Sequence, residues 1–214
     1  MYYVPLDSNL NSNLNSGRVF WSSILAIPLF CVALAHFFFQ NYLFMPPCEQ
    51  CVYTRFYMFI IALGAVFALI SRRLLPLAYA LGAWGVIAGA RVCLHLMAIR
   101  RAIESANPFG VKPCKMIPEY PFGLPLHEWW EGMFAPTGEC GFDAPLPPLD
   151  ASLDPVQTWF GEFYGEGWYL VPQFKFINLG EASLIVFAFL GLALLWRGFF
   201  DLRVAISNLK KENV

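Results

Sequence analysis

Six cysteines stand in the 214-residue chain, and four of them sit where sulfur chemistry is possible. Cys48 and Cys51 form a C-x-x-C pair directly after Pro46-Pro47, while Cys114 and Cys140 lie farther along, 26 residues apart. Pro47 ends any preceding helix, so a helix is expected to open near Cys48. Both sulfurs then lie in or beside its first turn, where free backbone N–H groups and the helix dipole favour a thiolate. Arg55 follows Cys51 by four residues, one turn on and on the same face. A guanidinium there would steady a Cys51 thiolate, and it would equally hydrogen-bond a carbonyl or oxyanion of a bound molecule. A disulfide across C-x-x-C closes too short a loop to stabilise a fold much. This favours a redox role for the first pair over a purely structural one. A structural zinc site is the other reading of four cysteines, but an oxidising compartment favours disulfides over thiolate ligands. For Cys114 and Cys140 the residues alone leave structural and redox roles open.

The elements that must hold these residues are apolar. Hydrophobic residues make up 58% of the chain, aromatic residues 17% and charged residues only 14%. That composition belongs to a membrane protein. Four stretches reach the ~20 residues a bilayer requires: roughly 19–39, 52–70, 74–97 and 174–200. Cys31 and Cys93 fall inside spans, where cysteine is a small apolar packing residue. Arg18, the Arg72-Arg73 turn, Arg197, Arg203, Lys210 and Lys211 all fall on one side of this arrangement. By the positive-inside rule that side is cytoplasmic, with both termini inside. Arg100 and Arg101 run against the rule. Cleavage after Ala33-Leu-Ala35 would leave three spans, but His36-Phe-Phe-Phe39 continues the apolar run instead of opening a soluble domain. The expected layout is a polar cytoplasmic tail over 1–18, a four-helix transmembrane domain over 19–200 and a second tail over 201–214. A net charge of −1 supplies no basic field for nucleic acid.

The segment 102–173, expected outside, has ten acidic residues and only Lys112 and Lys115 as basic ones. Such a loop is expected either to attract a partner with a basic rim, chiefly by raising the encounter rate, or simply to stay solvated through its charges. It is rich in proline and reads as a flexible loop, with Trp129, Trp130, Met133 and Phe134 available to anchor it at the membrane interface. Asp154-Pro155 reads as an N-cap with proline at the first helical position. Val156, Trp159, Phe160, Phe163 and Tyr164 then give one apolar face of a short helix lying on the membrane surface.

The run Pro46-Pro-Cys-Glu-Gln-Cys-Val-Tyr-Thr-Arg55 resembles the quinone-proximal motif of the bacterial DsbB family. The order of the parts is similar too: C-x-x-C heading span two, Arg four residues later, and a second cysteine pair between spans three and four. Cys48-Glu-Gln-Cys51, Pro136-Thr-Gly-Glu-Cys-Gly-Phe-Asp-Ala-Pro145 and Gly167-Trp-Tyr-Leu-Val-Pro172 resemble its DsbI branch most. The resemblance implies an all-α inner-membrane protein, a four-helix bundle with a long periplasmic loop carrying a short interfacial helix. It implies a protein-disulfide oxidoreductase that reoxidises a thioredoxin-fold thiol oxidase of the DsbA or DsbL type. Electrons would pass to ubiquinone or menaquinone. In that scheme the partner attacks Cys114, Cys140 attacks Cys48, and Cys51 faces the quinone beside Arg55. The family often has a polar residue near the end of span three close to the quinone; here His95, Arg91, Arg100 and Arg101 are the candidates, with His95 taken first. His36, near the outer end of span one, is equally open between packing and function. Two further readings stay on the table: an outward-directed reductase, which would need a cytoplasmic cysteine pair the sequence lacks, and an assembly factor with purely structural disulfides.

Overall fold

The computed structural model describes residues 8–105 and 114–212; Lys112, with prolines 108 and 113, lies outside them. Helix α1 spans Ser8–Ala33 and runs on as a π-helical segment, Leu34–Tyr42. Helix α2 spans Glu49–Ile70, a short 3₁₀ turn Arg72–Leu74 follows, and α3 spans Leu75–Glu104. Short helices α4 (Leu126–Trp129), α5 (Glu131–Phe134) and α6 (Pro155–Phe163) lie in the long loop. Strands β1 (Tyr169–Val171) and β2 (Phe176–Asn178) form an antiparallel hairpin, and α7 (Leu179–Glu212) ends the described chain.

Among the described residues four helical stretches are long and apolar enough to cross a membrane: Gly17–Tyr42, Glu49–Ile70, Arg72–Glu104 and Leu179–Val204. The expected all-α four-helix membrane bundle is thus the observed one, with shifted edges. Helix α1 already runs from Ser8 and α7 continues to Glu212, through segments expected to be tails. Extending a formed helix fixes one residue per hydrogen bond and avoids a new nucleus, so polar flanks propagate readily. The fourth span starts later than Phe174 because Tyr169 pairs with Asn178 and Val171 with Phe176. Asn178 then caps α7: its Oδ1 accepts from Glu181 N–H and Glu181 Oε2 accepts from Asn178 N–H, both at 3.0 Å. This N-x-x-E box is a start signal of the kind usually read from Ser or Thr.

Helix α2 lies between α1 and α3, and α3 packs on α7. Small residues allow the close approach, as expected where lipid supplies no hydrophobic drive between helices. A Cβ on Gly85 would fall 2.6 Å from Ile61 Cγ1, and one on Gly64 2.9 Å from the Ala78 carbonyl oxygen. At one end of the bundle Tyr79 donates to Asp201 at 2.8 Å and Arg197 pairs with Asp201 at 3.1 Å. The four loop-side cysteines occupy the opposite end. Arg100 is there too, but it is neutralised: it pairs with Asp143 at 3.2 Å and Glu104 at 3.3 Å and lies over the Tyr169 ring.

Helix α6 forms where Asp154-Pro155 placed it, with a complete capping box between Asp154 and Gln157. Its aromatic face, however, is shared. Phe160 meets Phe38 edge-on and Tyr164 stacks on Trp168, while Val156 and Trp159 remain exposed. Tyr42 donates to Asp154 at 3.0 Å, and Gln157 donates to the Tyr42 carbonyl at 2.9 Å. The helix is therefore bolted to the π-helical end of α1, with only one edge free for the interface. Sequence periodicity lists apolar positions on one side, but it does not show that two surfaces divide them.

Candidate active site

Cys48 is the N-cap of α2, and its sulfur accepts the backbone N–H of Cys51 at 3.2 Å. The motif thus stands at the helix N-terminus, as the proline pair predicts. Cys48 pairs with Cys51 across a Cα separation of 5.0 Å, and Cys114 pairs with Cys140 across 6.1 Å. The two disulfides share one cluster: Cys48 and Cys140 are buried with Ile99, and Cys51, Cys114 and Leu96 pack against them. Burial is graded. Cys48 is 4% exposed and Cys140 8%, whereas Cys114 is half-buried and the next residues, Met116 and Ile117, are 69% exposed.

The loop is not slack around its cysteines. Thr137 and Gly138 donate N–H groups to the Pro47 carbonyl at 2.9 and 3.0 Å. Gly138 is required there, since a Cβ would fall 2.6 Å from the Pro46 carbonyl oxygen. On the other side, Lys115 N–H donates to Glu49 Oε2 at 2.8 Å. Both cysteines of the loop pair are therefore tied to residues that flank Cys48.

Arg55 is 5% exposed. Its guanidinium donates to Gln40 Oε1 at 2.7 Å, to the Met133 carbonyl at 3.2 Å and to the Ala35 carbonyl at 3.4 Å. The Ala35 carbonyl comes from the π-helical segment, a helix form often found at functional positions. Gln40 is itself fixed, donating to the Gly132 carbonyl at 2.8 Å and sharing Oε1 with His36 Nδ1 at 3.2 Å. Among the described residues no carboxylate lies within ion-pair distance of Arg55. A buried cation without an anion is costly, which makes it a marker of function in a membrane protein.

Beside Cys51 and Arg55 opens an apolar cavity of ≈ 240 Å³. Val32, Phe39, Met45, Met58, Leu179 and Val186 are among its walls, and Thr54, Asp143, Ser183 and Trp168 supply the polar points. Trp168 Nε1 is buried with no hydrogen-bond partner among the described residues. An unpaired indole N–H and a guanidinium on an otherwise apolar wall suit a flat, largely hydrophobic molecule with carbonyl oxygens. Asp143 also lines a second, smaller cleft that reaches Cys48, Arg100 and Glu139. Burial pushes its carboxyl up, with the Arg100 guanidinium opposing.

Of the sequence-predicted residues, the structure brings together Cys48, Cys51, Cys114, Cys140 and Arg55. His95 does not line the cavity; its neighbour Leu96 does. His36 reaches the site only through Gln40. Arg91 is exposed and Arg100 serves Asp143. Sequence reasoning missed Gln40, Glu49, Asp143 and Trp168. The last three lie inside the quoted motifs, so the signal was present. Gln40 had none, because it falls in a stretch that reads as loop.

Comparison with known proteins adds the following. The family described as "Disulfide bond formation protein DsbB" matches residues 17–197. A protein-disulfide oxidoreductase DsbI of Salmonella typhimurium is 43% identical over 183 residues, covering 81% of each chain. One of Escherichia coli O1:K1 is 39% identical over 178 residues, covering 79% of this chain and 80% of the relative. A Campylobacter fetus subsp. fetus relative whose name also carries DsbI is 45% identical over 180 residues, covering 83% and 84%.

Proposed function

The chain belongs to the DsbB family of membrane-embedded protein-disulfide oxidoreductases, and we propose that it reoxidises a thioredoxin-fold thiol oxidase of the DsbA or DsbL type and delivers the electrons to a membrane quinone. Ubiquinone and menaquinone both suit the apolar cavity. The observation that carries this reading is the buried, carboxylate-free Arg55 beside Cys51 on the wall of that cavity. In this reading the cysteine end faces the periplasm across the bacterial inner membrane. The Arg72-Arg73 turn then faces the cytoplasm, with the start of the first span and the end of the fourth.

Each residue has one task. A partner thiolate attacks Cys114, which is less buried than Cys140 and precedes the exposed Met116 and Ile117, and Cys140 leaves as a thiolate. Cys140 attacks Cys48, which shares its buried cluster, and Cys51 leaves as a thiolate held by Arg55 and the α2 N-terminus. The partner's second thiolate resolves the mixed disulfide and frees Cys114. Cys114 then attacks Cys140, so the loop disulfide reforms and Cys48 is released. A bound quinone would supply the acceptor for the two electrons and two protons that the Cys48 and Cys51 thiols give up on closing their disulfide. Arg55, Thr54 and Trp168 would hold it, and the apolar walls would exclude water.

The test uses purified protein, a reduced thioredoxin-fold partner and ubiquinone, with quinone absorbance as readout. Quinone consumption equal to partner thiol pairs oxidised, lost in Cys51→Ser, is expected. Partner oxidation at an unaltered rate in Cys51→Ser would exclude the route and favour the structural-disulfide alternative. The acidic loop adds a second expectation: partner oxidation slows as salt rises, and a rate indifferent to ionic strength would exclude a basic-rimmed partner steered by that loop.

A further inference from the structure

Glu49, the second residue of the C-x-x-C, is 5% exposed, yet no basic side chain meets it among the described residues. Its oxygens are occupied by other donors. Oε2 accepts the Lys115 backbone N–H at 2.8 Å and Gln50 Nε2 at 3.5 Å, and Oε1 accepts the Tyr53 hydroxyl at 3.1 Å. The Tyr53 oxygen in turn accepts the Glu119 N–H at 2.7 Å. One acidic side chain in the first turn of α2 thus secures residues 115–119, the segment that directly follows Cys114. Burying a carboxylate is unfavourable unless its hydrogen bonds are made in full. An apolar residue would pack the same space at lower cost. What an apolar residue could not do is hold a backbone N–H one peptide bond from a reacting cysteine.

We propose that Glu49 is a positioning residue for thiol exchange: by binding the Lys115 N–H it keeps Cys114 within reach of Cys140 and so favours return of the loop disulfide. In that step the Cys114 thiolate attacks the Cys140 sulfur of a Cys48–Cys140 disulfide. The Cys114–Cys140 bond forms, the Cys48–Cys140 bond breaks, and Cys48 leaves as a thiolate that takes up a proton. There is no net oxidation. The inference rests on the exchange route proposed above and is independent of the quinone. Its physical basis is effective concentration: a tethered thiol competes better than a free one for the same sulfur.

The experiment uses the full chain carrying Cys51→Ser, so that Cys48, Cys114 and Cys140 compete for one disulfide. After equilibration in a thiol buffer, acid quenching and peptide mapping give the ratio of Cys48–Cys140 to Cys114–Cys140. Adding Glu49→Ala should raise that ratio about fivefold to tenfold, the worth of one buried hydrogen bond. Glu49→Gln, which keeps an acceptor oxygen, should stay within about twofold of the parent. An unaltered ratio in Glu49→Ala overturns the proposal, and so does a Glu49→Gln shift as large as that of alanine, because charge and not the hydrogen bond would then be responsible. Absence of any Cys48–Cys140 disulfide in the parent would overturn the exchange route itself. The tether has its own readout in the chain with all its cysteines. Trypsin cleavage at the Lys115–Met116 bond should quicken in Glu49→Ala by a similar factor, since opening governs access, and an equal cleavage rate would show that Glu49 secures nothing.

Discussion

Replacing Arg55 by methionine is the sharpest test of the site, because the structure says what should be lost and what should survive. Methionine matches the stem of arginine in length and keeps an apolar side chain on the cavity wall. It deletes a charge one helical turn from the Cys51 sulfur. Side chains at that spacing are about 6 Å apart. At an effective dielectric of about 20, unit charges at about 6 Å interact by roughly 3 kcal/mol. Burial and the missing carboxylate leave this interaction little screened. If Arg55 steadies negative charge on Cys51, reoxidation of the Cys48 and Cys51 pair should slow about 100-fold in Arg55→Met. Arg55→Lys should fall between, since an ammonium keeps the charge but cannot span Gln40, Met133 and Ala35 with a planar fork. The assay mixes pre-reduced protein with excess quinone in a stopped-flow instrument and follows quinone loss. A parallel measurement of partner thiol transfer to the loop pair controls for folding, since neither Cys114 nor Cys140 lines the cavity on which Arg55 stands. A rate for Arg55→Met within about threefold of the parent, with exchange intact, would refute the electrostatic argument.

Two further outcomes follow from the same geometry. Trp168→Phe removes an indole N–H that has no partner among the described residues, so it should leave thermal stability unaltered while raising the quinone KM about fivefold to tenfold, the worth of one hydrogen bond; an unaltered KM would remove Trp168 from the binding wall. The Gln157 backbone N–H holds the Asp154 carboxyl below its ordinary value, with desolvation opposing. A depressed value in the folded state means the cap is intact above the ordinary carboxylate range near pH 4 and is lost as pH falls through the depressed value. Hydrogen exchange at the amides of residues 157–164 should therefore accelerate, beyond its intrinsic pH trend, only below about pH 4, and Asp154→Asn should flatten that response.

What the sequence disclosed, and what it hid, follows from how far each residue's role reaches along the chain. Cys48, Cys51 and Arg55 are tied by local rules: proline before a helix, sulfur at its first turn, a cation one turn later. Those rules hold without a fold, and the structure places the three residues accordingly. The spans were legible because apolar length is a local quantity as well. Gln40 was not, because its role comes from a π-helical turn that keeps α1 going past the expected loop start and aims its amide at Arg55, 15 residues away. The α7 start was missed for a different reason. Asn178 and Glu181 form a legible capping pair, but the apolar run from Phe174 onward masked it, and only strand pairing with Tyr169 separates the two. His95 is a different case: a helix of 3.6 residues per turn puts adjacent residues about 100° apart, and it is Leu96, not His95, that lines the cavity.

The largest physical difference from the sequence reading concerns motion. A proline-rich loop with a cysteine near each end suggests a shuttle that swings between two partners. The observed loop is instead fastened next to both cysteines, to Pro47 and to Glu49, and the two disulfides share one packed cluster. Exchange between them then needs rotation of side chains and the parting of one or two hydrogen bonds, each worth about 1 kcal/mol net. A wide excursion of the backbone would have to break the Lys115, Glu119, Thr137 and Gly138 contacts together. The energetically cheaper course is for the soluble partner to come to Cys114, whose following residues project outward, while Cys140, Cys48 and Cys51 stay in place. Direction would then come from burial and charge: the half-buried loop sulfur would meet the partner, the buried pair would hand on the disulfide, and the sulfur nearest a buried cation would stand last, at the cavity.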